Sequence, residues 1–282
     1  VNTPPSTPRL TPDPARPAVR LQRAEVRAGG RVLLTGADWH IDYGQHWTVL
    51  GRNGAGKSTL LSLLACTRHP TNGTADVLGH RLGTVDLREL RRHIGLVTTA
   101  QRLLDSEGAT ALTVVLTGKS GTIQPLWNEY DGPARTKARA LLALLGCEDL
   151  LDRPIRVCSQ GERARVRIAR ALMADPALLL LDEPFGGLDL PAREDLITAL
   201  ENLARTRPAL ATVTVTHHLE EVPATTTHAL LVRDGHITHH GTPTEVLTDE
   251  AMSDCFGRPL HTHHINGRWY VQAAAPNRPP QT

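Results

Sequence analysis

The apolar positions of the chain fall into short runs that switch between two periods. Trp47-Thr48-Val49-Leu50 is a compact apolar run ending at Gly51, after which Leu60, Leu61, Leu63 and Leu64 recur at helical spacing. Ile94 to Val97 predicts another short strand. From about Leu103 to Met173 the pattern is mostly helical, with Leu141, Leu142, Leu144 and Leu145 on one stretch. Leu178 to Leu181 is continuously apolar, as a strand buried on both faces requires. Ala211 to Thr216 alternates Val213 and Val215 with threonines and predicts one more strand. Strands alternating with helices imply an α/β fold with a largely parallel sheet under helices. Further on, Asp234-Gly235 and Asn266-Gly267 sit between β-rich segments and predict hairpin turns.

Proline and threonine dominate up to about Pro17, and proline returns at Pro276, Pro279 and Pro280. Residues 1–18 and 273–282 are therefore expected as tails without a fixed fold. No internal repeat divides residues 19–272, which are expected to form one domain. The 282 residues suffice for a sizeable core. A net charge of +2 with scattered basic residues gives no reason to expect a direct nucleic-acid partner. Of the 31 Lys+Arg, only Lys57, Lys119 and Lys137 are lysines. The four cysteines stand far apart without metal-ligand spacing, which predicts buried thiols in a reducing cytoplasm. No apolar run approaches the ~20 residues of a membrane helix, and no signal-peptide core is seen. Association with a membrane is expected to run through a partner.

Gly51-Arg52-Asn53-Gly54-Ala55-Gly56-Lys57-Ser58, with Thr59 next on the helix, fits the phosphate-loop pattern G-x-x-x-x-G-K-[ST]. Glycines let backbone N–H groups turn inward around phosphates, and the helix that follows points its positive end at the anion. Lys57 supplies a compact ammonium for the β- and γ-phosphates, and the Ser58 hydroxyl can ligate Mg²⁺. In a chain that otherwise writes its positive charge as arginine, a lysine here suggests that point-charge geometry is needed. The strand Leu178 to Leu181 delivers Asp182 and Glu183 at its carboxyl end, where open α/β sheets bind ligands. Asp182 is expected to hold Mg²⁺, and Glu183 to orient the attacking water. Pro184 stops the strand.

Cys158-Ser159-Gln160-Gly161-Glu162-Arg163 precedes a helix carrying Val166, Ile168, Ala169, Leu172 and Met173. Read locally, Ser159 and Glu162 form a capping box. With this segment in place the sequence resembles the ATP-binding cassette (ABC) family, whose signature is L-S-G-G-Q ahead of a helix ending A-R-A-L, here Ala169-Arg170-Ala171-Leu172. The resemblance covers about residues 19 to 250. It implies a P-loop NTPase fold with a mixed, mostly parallel sheet, an antiparallel β portion and a helical subdomain at about 102–173. It implies that Cys158, Ser159, Gln160, Gly161 and Glu162 clamp the γ-phosphate of ATP held by the opposite subunit of a head-to-tail dimer. Gly187-Leu188-Asp189 looks like the family's D-loop, which makes Asp189 a nucleotide-site residue. His217, just past the Val213–Val215 strand, looks like the switch histidine and joins Glu183 as a catalytic candidate.

Three positions depart from the family pattern. Gln160 replaces the first signature glycine and Cys158 its leucine. Thr99 stands where the family has a metal-contacting glutamine, so Gln101 is the nearest candidate. The adenine-stacking aromatic expected near Arg27 to Gly29 is absent, and Trp39 and Trp47 are expected in the core. Later histidines (His236, His239, His240, His261, His263, His264) are expected at the surface rather than on a metal.

The resemblance implies an Mg²⁺-dependent ATPase subunit of a transporter, driving a separate membrane permease from the cytoplasmic face. A soluble cassette ATPase acting in regulation, repair or translation is the alternative. A GTPase is disfavoured because no Asn-Lys pair is available to read guanine.

Overall fold

The computed structural model describes residues 10–98, 108–119 and 130–274. In chain order the strands are β1 (Val19–Ala28), β2 (Arg31–Ile41), β3 (His46–Leu50), β4 (Asn72–Val77), β5 (His80–Arg81), β6 (Ile94–Thr98), β7 (Leu178–Asp182), β8 (Ala211–Thr216), β9 (His228–Arg233), β10 (His236–Gly241), β11 (Leu260–Ile265) and β12 (Arg268–Ala273). The helices are α1 (Lys57–Leu64), α2 (Leu87–Arg91), α3 (Ala111–Leu116), α4 (Gly132–Leu144), α5 (Gln160–Leu172), α6 (Leu190–Thr206), α7 (Pro243–Val246) and α8 (Asp249–Phe256).

Among the described residues the strands make three sheets. The central one runs β10-β9-β3-β8-β7-β6, parallel except where β10 pairs with β9. An antiparallel sheet runs β2-β1-β4-β5, and β11 pairs with β12 as a hairpin. Both turns expected at Asp234-Gly235 and Asn266-Gly267 close such hairpins. The fold is thus α/β with a mixed, mostly parallel sheet, an antiparallel portion and a group of helices from α3 to α5.

The apolar run of β7 has a simple cause. Leu178 and Leu180 join the core that lies between the two large sheets and α1. Leu179 and Leu181 join the opposite core, made with α3 to α6. All four side chains are buried, and each contributes roughly 2 kcal/mol of apolar transfer. A third core gathers Leu50, Leu219, Val222, Met252 and Trp269 near the carboxyl end. Trp39 and Trp47 are buried edge to face, with ring centroids 5.2 Å apart, so both are core residues. The four cysteines are free and buried.

Register positions the site. Leu50 of β3 lies beside Thr216 of β8, and Val215 lies beside Asp182 of β7. The residues that follow these strand ends, Gly51, His217 and Glu183, therefore emerge together at one edge of the sheet.

Candidate functional site

At that edge the chain forms a cleft of about 730 Å³, whose lining includes Gly56, Lys57, Ser58, Asp182, Glu183 and Val32. Asn53, Gly54 and Thr59 also face it. Gly51 approaches the neighbouring strand so closely that a Cβ would stand 2.2 Å from the Val232 carbonyl oxygen. Gly56 takes φ 109 at the start of α1, and no side chain caps that helix. By contrast Asp86, Asp131, Asp189 and Thr248 cap α2, α4, α6 and α8 through their side chains. The amino end of α1 therefore keeps its N–H groups for a ligand, which suits an anion. Arg52 is exposed and Ala55 buried at the base of the loop.

Lys57 is only 5% exposed, and its Nζ donates to the carbonyls of Gly51 at 2.7 Å and Arg52 at 3.1 Å. Burial lowers its pKa, against the opposing pull of Glu183 and Asp182. The ammonium is thus held on the loop's own oxygens, a detail the sequence pattern does not reveal.

Asp182 sits half-buried at the end of β7. Its pKa is raised by burial and then by the charge of Glu183, while a hydrogen bond with Ser58 and the charge of Lys57 pull the other way. Its Oδ1 is buried without a hydrogen-bond partner. A buried carboxylate oxygen with no donor, beside a serine hydroxyl, fits a hard cation such as Mg²⁺. Glu183 follows in the left-handed region at φ 50, with its N–H bonded to the Val215 carbonyl at 3.0 Å. That turn brings Glu183 Oε1 to 3.4 Å from His217 Nδ1. The approach is close but not aligned, since His217 Nδ1 makes no hydrogen bond.

The signature segment lies elsewhere. Ser159 Oγ accepts from Glu162 N at 3.2 Å, and Glu162 Oε2 accepts from Ser159 N at 2.7 Å, closing the expected capping box. Ser159 and Gln160 are exposed, Cys158 is buried, and Gly161 is pressed so tightly to α6 that a Cβ would stand 2.7 Å from Ala192 Cβ. Gln160 lies over the turn at Gly187, with its Oε1 2.7 Å from where a Cβ of Gly187 would be. No residue from Cys158 to Glu162 lines the cleft, and neither does Asp189, whose carboxylate accepts from Ala192 N at 3.0 Å as the cap of α6. The structure therefore gathers the phosphate loop, Asp182, Glu183 and His217, and sets the signature and Asp189 apart. Gln101 and Thr99 lie outside the described residues.

Two lining features escape a reading by motif. Val32 and Leu33 form an apolar wall, with Val32 44% exposed, and Asp234-Gly235 brings the β9–β10 turn into the cleft. Gly235 packs 3.1 Å, at its would-be Cβ, from the Leu33 carbonyl oxygen, so its glycine was a signal of close backbone approach as well as of a turn. His236, His239, His240, His261, His263 and His264 are all exposed. His261 pairs with Asp249 at 2.9 Å, and His264 stacks on Trp269.

Comparison with known proteins gives a consistent picture. A family model for ABC transporters matches residues 34–186. Over 261 residues the chain is 38% identical to the ABC transporter ATP-binding protein YlmA of Bacillus subtilis (strain 168), spanning 92% of this chain and 98% of that protein. It is 36% identical over 226 residues to the cobalt import ATP-binding protein CbiO of Rhodobacter capsulatus, spanning 79% of this chain and 78% of that one. The dimeric post-hydrolysis ATP-binding cassette MJ0796 bound to ADP and Pi matches with a TM-score of 0.67 at 25% identity, over 79% of this chain and 98% of that chain.

Proposed function

Since this chain belongs to the ABC transporter family of ATP-binding cassettes, we propose that it hydrolyses ATP to ADP and phosphate within a head-to-tail dimer and so drives a separate membrane permease. The observation that carries the reading is the convergence, at one sheet edge, of an uncapped helix start, a buried lysine, an unpartnered Asp182 oxygen and the Glu183–His217 pair.

The phosphates of ATP lie against the amino end of α1, where the loop N–H groups bind them. Lys57 exchanges the Gly51 and Arg52 carbonyls for β- and γ-phosphate oxygens, which neutralises charge more fully than a neutral carbonyl can. Ser58 and Asp182 would hold Mg²⁺, which when bound would supply neutralisation of the phosphate oxygens. Glu183 orients the water that attacks the γ-phosphorus and accepts its proton, as the bond to the β–γ bridging oxygen breaks and ADP leaves. His217 supports that alignment from beside Glu183. The apolar wall of Val32 and Leu33 covers the base in place of an aromatic ring.

Ser159 and Gln160 are exposed, and the signature segment lies away from its own cleft, so the γ-phosphate is capped by Ser159, Gln160 and Gly161 of a second copy. Asp189 and Gly187 sit beside that contact. A dimer of this kind works at the inner face of a membrane, held there by the permease. The similarity to CbiO, a cobalt import ATP-binding protein, supports transport.

The test is Glu183→Gln. The variant is expected to bind ATP and accumulate a nucleotide-bound dimer on gel filtration, while turnover falls by about 10²–10⁴. Hydrolysis at the wild-type rate would remove Glu183 from its role. Purification from membranes then decides transport: a co-purifying permease supports it, whereas ribosomes, DNA or nothing bound would end that part of the reading.

A further inference from the structure

Beyond the cleft, the β11–β12 hairpin docks behind the residue that faces Glu183. Trp269 is buried with Leu219 and Val222, in the core under the short 3-10 turn Leu219–Glu221 that follows His217. The neighbouring Arg268, partly buried, does something packing does not require. Its Nη1 donates to Glu194 Oε2 at 2.8 Å, and its Nη2 donates to Glu194 Oε1 at 3.3 Å and to the Glu220 carbonyl at 2.8 Å. Glu194 belongs to α6, the helix capped by Asp189. One guanidinium thus ties the turn behind His217 to the helix that starts at the D-loop.

The same turn is held from its inner side. Thr216 Oγ1 donates to the buried Glu221 carboxylate and accepts from His218 N at 3.1 Å. Just after the turn, Ala224 N donates to Glu201 Oε1 of α6 at 2.9 Å. These bonds matter because His217 Nδ1 makes no hydrogen bond of its own. Where the ring stands relative to Glu183 is set by its backbone and by its contact with the His218 ring.

We propose that Arg268 is a positioning residue for hydrolysis: through Glu220 and Glu194 it fixes the loop carrying His217 against α6, which makes the carboxyl-terminal hairpin part of the catalytic apparatus. The planar fork of arginine makes all three bonds at once, which the point charge of a lysine does not. The inference rests on the ATPase reading given above.

The test combines Arg268→Ala, Arg268→Lys and Glu194→Gln in the full chain. Arg268→Ala is expected to lower kcat roughly tenfold, short of the ~100-fold that a full ångström of misplacement can cost, with KM and ATP affinity within about twofold of wild type. Arg268→Lys and Glu194→Gln are expected to fall between, and they carry the test if the alanine variant does not fold. Hydrogen exchange is expected to quicken at residues 217–222 and to stay unchanged at residues 51–61. An unchanged kcat, or exchange that quickens equally at both segments, overturns the proposal. Wild-type hydrolysis with an unaffected Arg268→Ala variant rejects the clamp alone. Absence of wild-type hydrolysis rejects the ATPase reading, and exchange at residues 217–222 still decides whether Arg268 holds the loop.

Discussion

The helices that begin at Gly56 and at Ser159 expose the same kind of end, a row of backbone N–H groups with partial positive charge. At Gly56 no side chain covers it, and the end lies in a cleft beside Lys57 and the buried Asp182 oxygen. At Ser159 the hydroxyl and Glu162 close a capping box, and the tip is exposed beside Val157, itself 63% exposed. The first end needs a ligand to be complete. The second is stable as it stands, so it can remain in water until another surface meets it. On the proposed reading, one chain carries a receptor and a lid that are not used on each other.

The contrast can be broken most severely at the receptor. Lys57→Ala is expected to reduce ATP turnover by at least ~10²-fold, because the buried cation proposed to pass from the loop carbonyls to the phosphates is lost. Ser159→Phe, which blocks the tip, is expected to be similarly inactive. Mixing the two variants should restore roughly a quarter of wild-type turnover, since half of the random dimers then hold one intact cleft facing one intact tip. No recovery on mixing, with both variants folded and dimerising, would mean that cleft and tip do not complete each other.

A finer probe separates the cap from the lid. Ser159→Asp keeps a good N-cap, so the thermal unfolding free energy should change by less than about 0.5 kcal/mol. The added negative charge would face a phosphate in the closed dimer, and turnover should fall roughly tenfold or more. Equal turnover would show that Ser159 serves only its own helix.

The smallest expected effect lies at the joint between α4 and the sheet. Burial alone would raise the pKa of Asp175, but hydrogen bonds from Lys137 and Arg207 outweigh it and hold the carboxyl low. A carboxyl held lower in the folded chain adds stability above its unfolded pKa of ~3.9, and that share is lost as pH falls through the folded value. Asp175→Asn keeps the shape and tolerates the left-handed backbone there, so it should cost less than about 1 kcal/mol at pH 7. The difference from wild type should shrink in urea titrations below about pH 4. A constant difference across pH would show that the charge has no part in it.

Much of this was legible where a single segment carries its own reason. The phosphate loop needs glycines between a strand and a helix, and the run Leu178 to Leu181 needs two apolar neighbours, so both announce themselves. His217 was readable from its place after a strand. The antiparallel strand β1 was not, because its in–out alternation slips between Leu21 and Ala24, where Arg23 takes φ 45 and the register with β2 shifts. Contacts made at long separation were equally silent: Arg268 reaches Glu194 across 74 residues, and nothing in either neighbourhood names the other. Val32 and Leu33 read as ordinary strand residues, since only the folded turn at Gly235 brings them to the cleft wall. Gln101 stays a sequence-based expectation.

The four buried sulfurs carry a practical corollary. Burial pushes the Cys66 thiol up to about 12 and the Cys147 and Cys255 thiols up to about 11, and Cys158 shifts the same way. At neutral pH none is a ready nucleophile, so the native surface is blank to maleimide chemistry. A single cysteine placed at Val157, on the rim of the exposed tip, would then be a unique attachment point. A fluorophore there could report the two copies meeting and parting in real time, without first stripping the protein of its own sulfur.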